Sequence, residues 1–373
     1  MNSIATFINS FCILNSLILS GILLTKTKNN NNLLLSIIVL LPTLAQISNT
    51  IINLGIFKVA IIIFPIHLGL NFLWSPLFYY YVLKTIGQKE KLFLKDAIHL
   101  IPFLICIIYF VHFGMLSWNS KISFFEEIRN GFIPLGLSIL DMFMIVQMFF
   151  YFIISYLRVK KYQKDIVHVG SNIESIRFNW IVQFIKLCIL LWILTMFPFF
   201  LFPKIEVFLY LMPLGSAITF IYIVYQSLSN PIDDEEKKLL KLVPELGNDN
   251  STKRLQEPIR EEIENRAILI KKYLQTEKPY LNSNVNITRF SSDLNENVHN
   301  ISITINQYFE MTFFDLINFY RIEEAKTLLT KENLKNNTIE NIAFDVGFNT
   351  PSSFYRAFKK QNKMTPKEYI QRS

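Results

Sequence analysis

The sequence predicts an all-α chain in two parts, and three observations carry that prediction. Hydrophobic residues make up 51% of the 373 positions and charged residues only 18%, well under the roughly one quarter charged in soluble domains. Seven apolar stretches, at about 4–24, 33–54, 59–83, 97–116, 132–157, 178–202 and 205–229, meet the roughly 20 residues a helix needs to cross a hydrocarbon core. After Asn230 the composition changes abruptly: residues 1–230 hold 16 Lys and Arg against 8 Asp and Glu, whereas residues 231–373 hold 21 of each. A greasy, positive front and a polar, balanced back exclude a single soluble globule and a disordered chain, and three cysteines exclude a disulfide scaffold. The expected division is a seven-helix transmembrane bundle over 1–230, a linker over 231–258 and a polar helical domain over 259–373.

The first span, from Ile4 to Leu24, lacks a positive leading segment and a small-residue cleavage site, so it is read as retained. Between the last two spans Pro203 and Lys204 leave only a tight turn. One set of loops carries Lys26 and Lys28, then Lys84, Lys89, Lys91 and Lys95, then Arg158, Lys160, Lys161, Lys164 and Arg177. The alternate set carries only Lys58, Lys121, Arg129 and Lys204. Basic loops stay in the cytoplasm, so the expected protein is a multi-pass inner-membrane one. Its amino end lies outside, and an odd number of spans delivers residue 230 to the cytoplasm. Cys12, Cys106 and Cys188 fall inside spans as small packing residues. The run Phe78–Tyr81 reads as an interfacial aromatic belt.

Polar groups at membrane depth are the candidates for sensing a signal. Asp141 and Lys186 fall within the fifth and sixth spans, where an unpaired charge costs about 2.5 kcal/mol or more, so both should face protein or water. His67, Asn71 and Trp74 share one face of the third span. Three roles stay open for these five residues: hydrogen bonds that fix the bundle, a pocket for a small molecule of unknown identity, or a proton path.

Beyond the linker, whose acidic run Asp233–Glu236 and Gly/Asn-rich 247–252 read as solvated chain, helical periodicity returns near Ile259 and stops before Pro279. Thr338 is placed to cap a helix burying Ile339, Ile342, Ala343 and Val346, and Gly347 to end it in the left-handed conformation. A second helix from about Ser352 buries Phe354 and Phe358 and presents Ser353, Tyr355, Arg356, Lys359 and Lys360. A similar pair precedes it: a helix over Thr288–Leu294, a turn over Asn295–Val298 and a helix over His299–Phe309, with His299, Asn300, Ile303 and Asn306 outward. A helix over Phe313–Leu329 joins the two pairs. Helix, sharp turn and a second helix with a polar or basic face is the helix-turn-helix arrangement.

The run Arg321-Ile-Glu-Glu-Ala-Lys-Thr-Leu-Leu329, then Ile342-Ala343, Gly347-Phe348, Phe354-Tyr-Arg-Ala-Phe-Lys-Lys360 and Thr365-Pro366-Lys-Glu-Tyr369, resembles the DNA-binding domain of AraC/XylS-type transcription regulators. The resemblance covers about 259–373. It implies two helix-turn-helix units, each placing a recognition helix in the major groove of double-stranded promoter DNA. Phe72–Tyr81 with His99–Phe103 resembles, less closely, the multi-span sensor region of membrane-bound members. The sequence departs from the family where Glu310 and Lys363 stand in place of the glycine that usually follows each recognition helix, so the turn must use a non-glycine residue or Asn362. It departs again in charge, residues 289–321 summing to −2 and residues 335–373 to +4, so the second unit should supply most phosphate affinity.

No phosphate loop, dinucleotide fingerprint, His-Glu-x-x-His pair or serine elbow occurs. No enzyme and no cofactor is therefore expected. The expectation is a one-component sensor and DNA-binding regulator, held by membrane lipid, acting as a homodimer on two half-sites, with residues 231–275 transmitting the signal. Alternatives from the sequence are a transporter or channel with a regulatory tail, a regulator released by cleavage near Asn248–Ser251, and a protein-binding module.

Overall fold

The computed structural model describes residues 2–26, 30–88, 94–130, 132–170, 178–201, 208–230, 257–330 and 337–372. Among them all regular structure is helical, apart from one isolated antiparallel bridge between Gly170 and Asn286. The tight turn at Pro203–Lys204, the acidic run Asp233–Glu236, all but the last two residues of the 231–258 linker, and Lys28, Lys89, Lys91 and Arg177 lie outside the described residues. The chain divides into two compact units, Met1–Lys160 with Phe178–Pro231, and Lys161–Arg177 with Ile232–Ser373.

The first unit is built from α1 (Asn2–Lys26), α2 (Asn30–Asn53), α3 (Phe57–Thr85), α4 (Ile101–Met115), α5 (Trp118–Arg129), the body of α6 (Leu135–Asp165), α7 (Asn179–Leu201) and α8 (Phe208–Ser229). Five stretches among the described residues are long and apolar enough to cross a membrane: Thr6–Thr25, Asn31–Asn53, Phe57–Thr85, Asp96–Met115 and Leu135–His168. A shorter apolar helix covers Asn179–Leu194. Their burial pattern is inverted relative to a soluble bundle. Large side chains such as Phe7, Ile62, Ile108 and Met142 stand exposed, while Ser16, Ser20, Ser36 and Ser48 are buried. Small polar residues inside let helices approach and bond to one another, as the Ser20 and Ser36 hydroxyls do.

Two sequence expectations for this unit are corrected, and the fourth span gains a detail. Residues 118–129, read as loop, form the amphipathic helix α5, capped by Ser117, whose hydroxyl accepts the Ser120 N–H. Its Phe125 is fully buried against Phe57, Phe64 and Phe113. The fourth span begins as a 3-10 helix, Leu94–Leu100, before α4. The aromatic belt at Phe78–Tyr81 is not uniformly interfacial. Phe78 is buried among Trp74, Phe152 and Phe184, and the buried Tyr81 donates to the Ser227 hydroxyl at 3.3 Å.

The second unit holds α9 (Glu257–Thr276), α10 (Ile287–Asp293), α11 (Val298–Tyr308), α12 (Phe313–Leu328), α13 (Ile339–Asp345), α14 (Pro351–Asn362) and α15 (Pro366–Arg372). Helices of seven residues do not persist alone in water. Here each short helix is closed at its N-terminus by a side-chain cap. Asn286 accepts the Arg289 N–H, Asn297 that of His299, Thr312 that of Asp315, Thr338 that of Asn341 and Thr350 that of Ser353. Thr365 and Glu368 cap α15 reciprocally. α12 is the shared spine. At its start Phe313 packs edge-on against Phe290 of the first pair, and Ile322 and Ala325 belong to a core with Ile342, Val346, Phe354 and Phe358.

Residues 161–170 belong to this unit although they lie between two apolar helices in the chain. α6 runs unbroken to Asp165, and a 3-10 turn, Ile166–His168, packs against α12. The Val169 carbonyl then accepts the Ile287 N–H at 3.0 Å, at the first turn of α10. Tyr162, Ile166 and Val169 are all fully buried.

Glu310 and Lys363 take left-handed backbone conformations, with φ of 53° and 59°. Each turn is made without glycine, at a cost of about 1–2 kcal/mol per residue. Glu310→Gly and Lys363→Gly should each raise local stability by about 1 kcal/mol, read as slower amide exchange in α11 and α14 respectively. Exchange that is unchanged or faster would show that these side chains contribute more than the strain costs.

Candidate nucleic-acid interface

The interface is built outward from α13 and α14. Gly347 ends α13 with φ of 93°, and its N–H closes on the Phe344 carbonyl at 2.9 Å. Phe348 packs on Phe354, and Phe354 on Phe358, so one side of α14 is sunk in the core. That fixes the opposite side outward. Arg356, Lys359 and Lys360 are exposed there, with Ser352 and Lys363. The face differs from the sequence expectation at two positions. Ser353 is committed to the helix start: its hydroxyl donates to the Thr350 carbonyl at 2.7 Å and accepts from the Thr350 hydroxyl at 3.0 Å. Tyr355 is half-buried and packs on the same core as Phe354; burial and the Glu340 carboxylate push its phenol pKa up, so it stays a neutral donor. Lys360 is exposed but not idle, since its ammonium donates to Asp315 of α12 at 2.7 Å.

In the first pair, α11 exposes His299 and leaves Asn300, Ile303 and Asn306 half-buried along one edge. Ile301, Thr304 and Ile305 form the buried side. α9 braces this pair: Arg266 donates to Glu296 at 3.2 Å and to the Thr304 hydroxyl at 3.3 Å, and Tyr273 donates to Asp293 at 2.6 Å.

Sequence reasoning missed the central residue of the unit. Arg321, counted among surface charges, is 1% exposed. Its Nε donates to the Tyr280 carbonyl at 2.7 Å, one terminal nitrogen donates to the Asn282 carbonyl at 2.9 Å, and its guanidinium lies 5.4 Å from the Phe348 ring centre. Burial lowers its pKa to about 9, which leaves it charged at neutral pH. The signal was present in the sequence: Arg321 sits four residues from both Ile317 and Ala325, inside the apolar row of its helix. With Arg321 removed from the surface, the exposed charge of 289–321 is more acidic than its composition says.

The five membrane-depth residues do not form one site. Asn71 and Trp74 line a cavity of about 260 Å³ among α2, α3, α6, α7 and α8, together with Ser75 and Cys188. His67 does not line it; it is buried edge-on against Phe64 in a cluster of aromatic residues. Asp141 is half-buried on α6 away from that cavity, and Lys186 is exposed on α7. No group of three or more His, Cys, Asp or Glu placed to hold a metal occurs among the described residues.

Residues 295–372 match the family described as "Helix-turn-helix domain". The match begins in the turn of the first pair and takes in the whole of the second. Among solved structures the chain is similar to "The C-terminal domain of AraT, a response regulator from Geobacillus stearothermophilus", with 26% identity, 32% of this chain and 88% of that chain covered, and a TM-score of 0.24. No curated protein matches.

Proposed function

We propose that this chain, whose C-terminal part is a helix-turn-helix domain of the AraC type, is a membrane-held, sequence-specific transcription regulator that couples a membrane or extracytoplasmic signal to promoter binding. The observation that carries the reading is α14. A helix inside the matched domain is pinned by Phe354 and Phe358 and turns Arg356, Lys359 and Lys360 to solvent. Such a helix fits the major groove, arginine reading guanine edges and lysines neutralising phosphate. α11 enters the adjacent groove with His299, Asn300, Ile303 and Asn306, which supply base or sugar contacts and little charge.

The membrane part of the proposal rests on the long apolar helices with their exposed Phe, Ile and Met, and on the basic bias of alternate loops. It places seven spans in the inner membrane, the amino end outside and the reader in the cytoplasm. Two copies acting on paired half-sites complete the scheme. Mapping of DNA bound by the full-length protein in cells tests it. Discrete promoter peaks that vanish in Arg356→Ala are the expected result; no enrichment, or peaks indifferent to Arg356, would refute it.

Lys360 gives a second check. Its pairing with Asp315 competes with phosphate, so Asp315→Asn should strengthen non-specific binding and steepen the logarithmic salt dependence by about one unit. Titration of duplex DNA at several salt concentrations reads this directly, and an unchanged slope would remove Lys360 from the interface.

A further inference from the structure

The cavity in the first unit has an unusual lining. Its walls are apolar and aromatic, with Trp74 stacked on Phe78 and edge-on to Phe152, and with Met148 and Trp192 beside them. Four polar side chains interrupt them, Asn71, Ser75, Ser216 and Thr219; the Ser216 hydroxyl donates to the Pro213 carbonyl and that of Thr219 to the Gly215 and Ser216 carbonyls. Asn71 and Ser75 lie one turn apart on α3, and among the described residues neither side chain has a hydrogen-bond partner. Ser75 is only 5% exposed. A polar group that loses water without gaining a partner costs free energy, and the half-buried Asn71 and the buried Ser75 present two such groups to one apolar cavity, the combination from which small-molecule sites are built. The volume, about 260 Å³, is below the roughly 300–1,000 Å³ of pockets for drug-sized ligands. Cys188 is the one ionisable residue in the lining, so nothing there balances a ligand charge.

A second observation gives the cavity a route to the rest of the chain. α6 supplies Met144, Met148 and Phe152 to the cavity wall and continues without a break to Asp165. Its last turn and the residues just after it, with Tyr162, Ile166 and Val169 fully buried, belong to the DNA-binding unit and bond to the first turn of α10.

We propose that this cavity is the receptor site for a small, uncharged, mostly apolar molecule bearing one hydrogen-bonding group, and that α6 carries its occupancy to the first helix pair. The proposal rests on the reading of the chain as a membrane-held regulator, and it places the signal path on α6 rather than on the linker after residue 230. A lipid acyl chain fits the apolar walls but leaves Asn71 and Ser75 unpaired; a phenol or alcohol pairs one of them. α6 is continuous from the cavity wall at Met148 to Asp165, roughly five turns along, and is the element proposed to pass displacement of that wall on. A ligand changes DNA affinity only by its preference for one placement of that helix.

The test uses the full-length protein in phosphatidylcholine nanodiscs, with Trp118→Phe and Trp180→Phe, so that Trp74 and Trp192 beside the cavity report. The probe is 4-bromophenol, whose bromine quenches tryptophan on contact. Saturable quenching is expected, weakened at least tenfold by Ser75→Leu, which fills the cavity, and by Asn71→Ala, which opens it and removes a partner. The same probe should shift affinity for a bound promoter fragment at least threefold. Inserting two glycines between Lys160 and Lys161 should keep both quenching and probe-free DNA binding but abolish the shift. Quenching that rises linearly and ignores both variants is partition into the bilayer and overturns the site. Equal quenching by dibrominated phosphatidylcholine that 4-bromophenol fails to relieve makes the occupant an acyl chain and likewise overturns the site. Saturable quenching with no shift in DNA affinity, or a shift that survives the insertion, overturns the route through α6. Absence of DNA binding in the unliganded wild-type protein is a different failure, that of the regulator reading, and the quenching experiment is read independently of it.

Discussion

Replacing Gly347 by alanine is expected to cost the second helix pair about 2–5 kcal/mol and to abolish DNA binding with it. Two terms add. A Cβ at φ of 93° is strained by about 1–2 kcal/mol. The same Cβ would stand 2.5 Å from the Tyr280 carbonyl oxygen and 2.8 Å from that of Leu281, and overpacking of this kind costs about 1–3 kcal/mol. Those atoms are backbone, and the Tyr280 carbonyl is itself held by Arg321, so no flexible side-chain tip can swing away. Amide exchange in α13 and α14 of the full-length protein measures the loss. Protection within a factor of about five of wild type, equivalent to about 1 kcal/mol, would show that the turn relaxes and that the contact is less rigid than its distances say.

Arg321→Leu is expected to be at least as damaging, about 3–5 kcal/mol. Leucine occupies much of the volume but leaves the Tyr280 and Asn282 carbonyls without their donor, and buried carbonyls stranded this way cost about 1–3 kcal/mol each. Arg321→Lys should rescue little. One ammonium cannot reproduce the divergent fork that reaches two carbonyls while its plane lies over Phe348. Thermal unfolding of the second unit and promoter affinity should fall together in both variants. Full stability in Arg321→Lys would mean that charge, not fork geometry, holds the site. The double variant with Gly347→Ala should lose less than the sum, because the added Cβ would lie 3.0 Å from Arg321 Nε and both changes break one junction.

The second unit was legible almost residue by residue because its signals are local. The expected helix over Thr288–Leu294 is observed as Ile287–Asp293, and the one expected over Phe313–Leu329 as Phe313–Leu328. Caps at Asn286 and Thr312 fix the starts of these helices, as those at Thr338 and Thr350 do for α13 and α14, through hydrogen bonds reaching three residues along the chain, and such bonds can be read from a string. The left-handed turns at Glu310 and Lys363 were expected only through the resemblance, which left Asn362 open as the turn residue; the structure puts them at Glu310 and Lys363. The first unit was legible only as apolarity. Hydropathy marks a span but not which side of it packs inward, so the burial of Phe78 and the folding of 118–129 into α5 were out of reach. The burial of Arg321 was signalled by the apolar row it sits in, but its partners, like those of the 161–170 segment, were not. They lie about 40 and 118 residues away respectively, and no periodicity within a window of sequence encodes a contact at that distance. Which side chains of α11 and α14 touch DNA is a property of the complex, and sequence bounds it only to the exposed edge.

The second unit is also discontinuous in the chain, and this has a consequence for how the protein is made. Val169 leaves the ribosome 118 residues ahead of Ile287, an interval of about 6–24 s at ~5–20 residues per second. During that wait Ile166 and Val169 have no partner, and α7 and α8 must be synthesised and settled first. The second unit is therefore completed last, after the apolar helices of its own chain, and a chain that stops between these points lacks the partners of Ile166 and Val169.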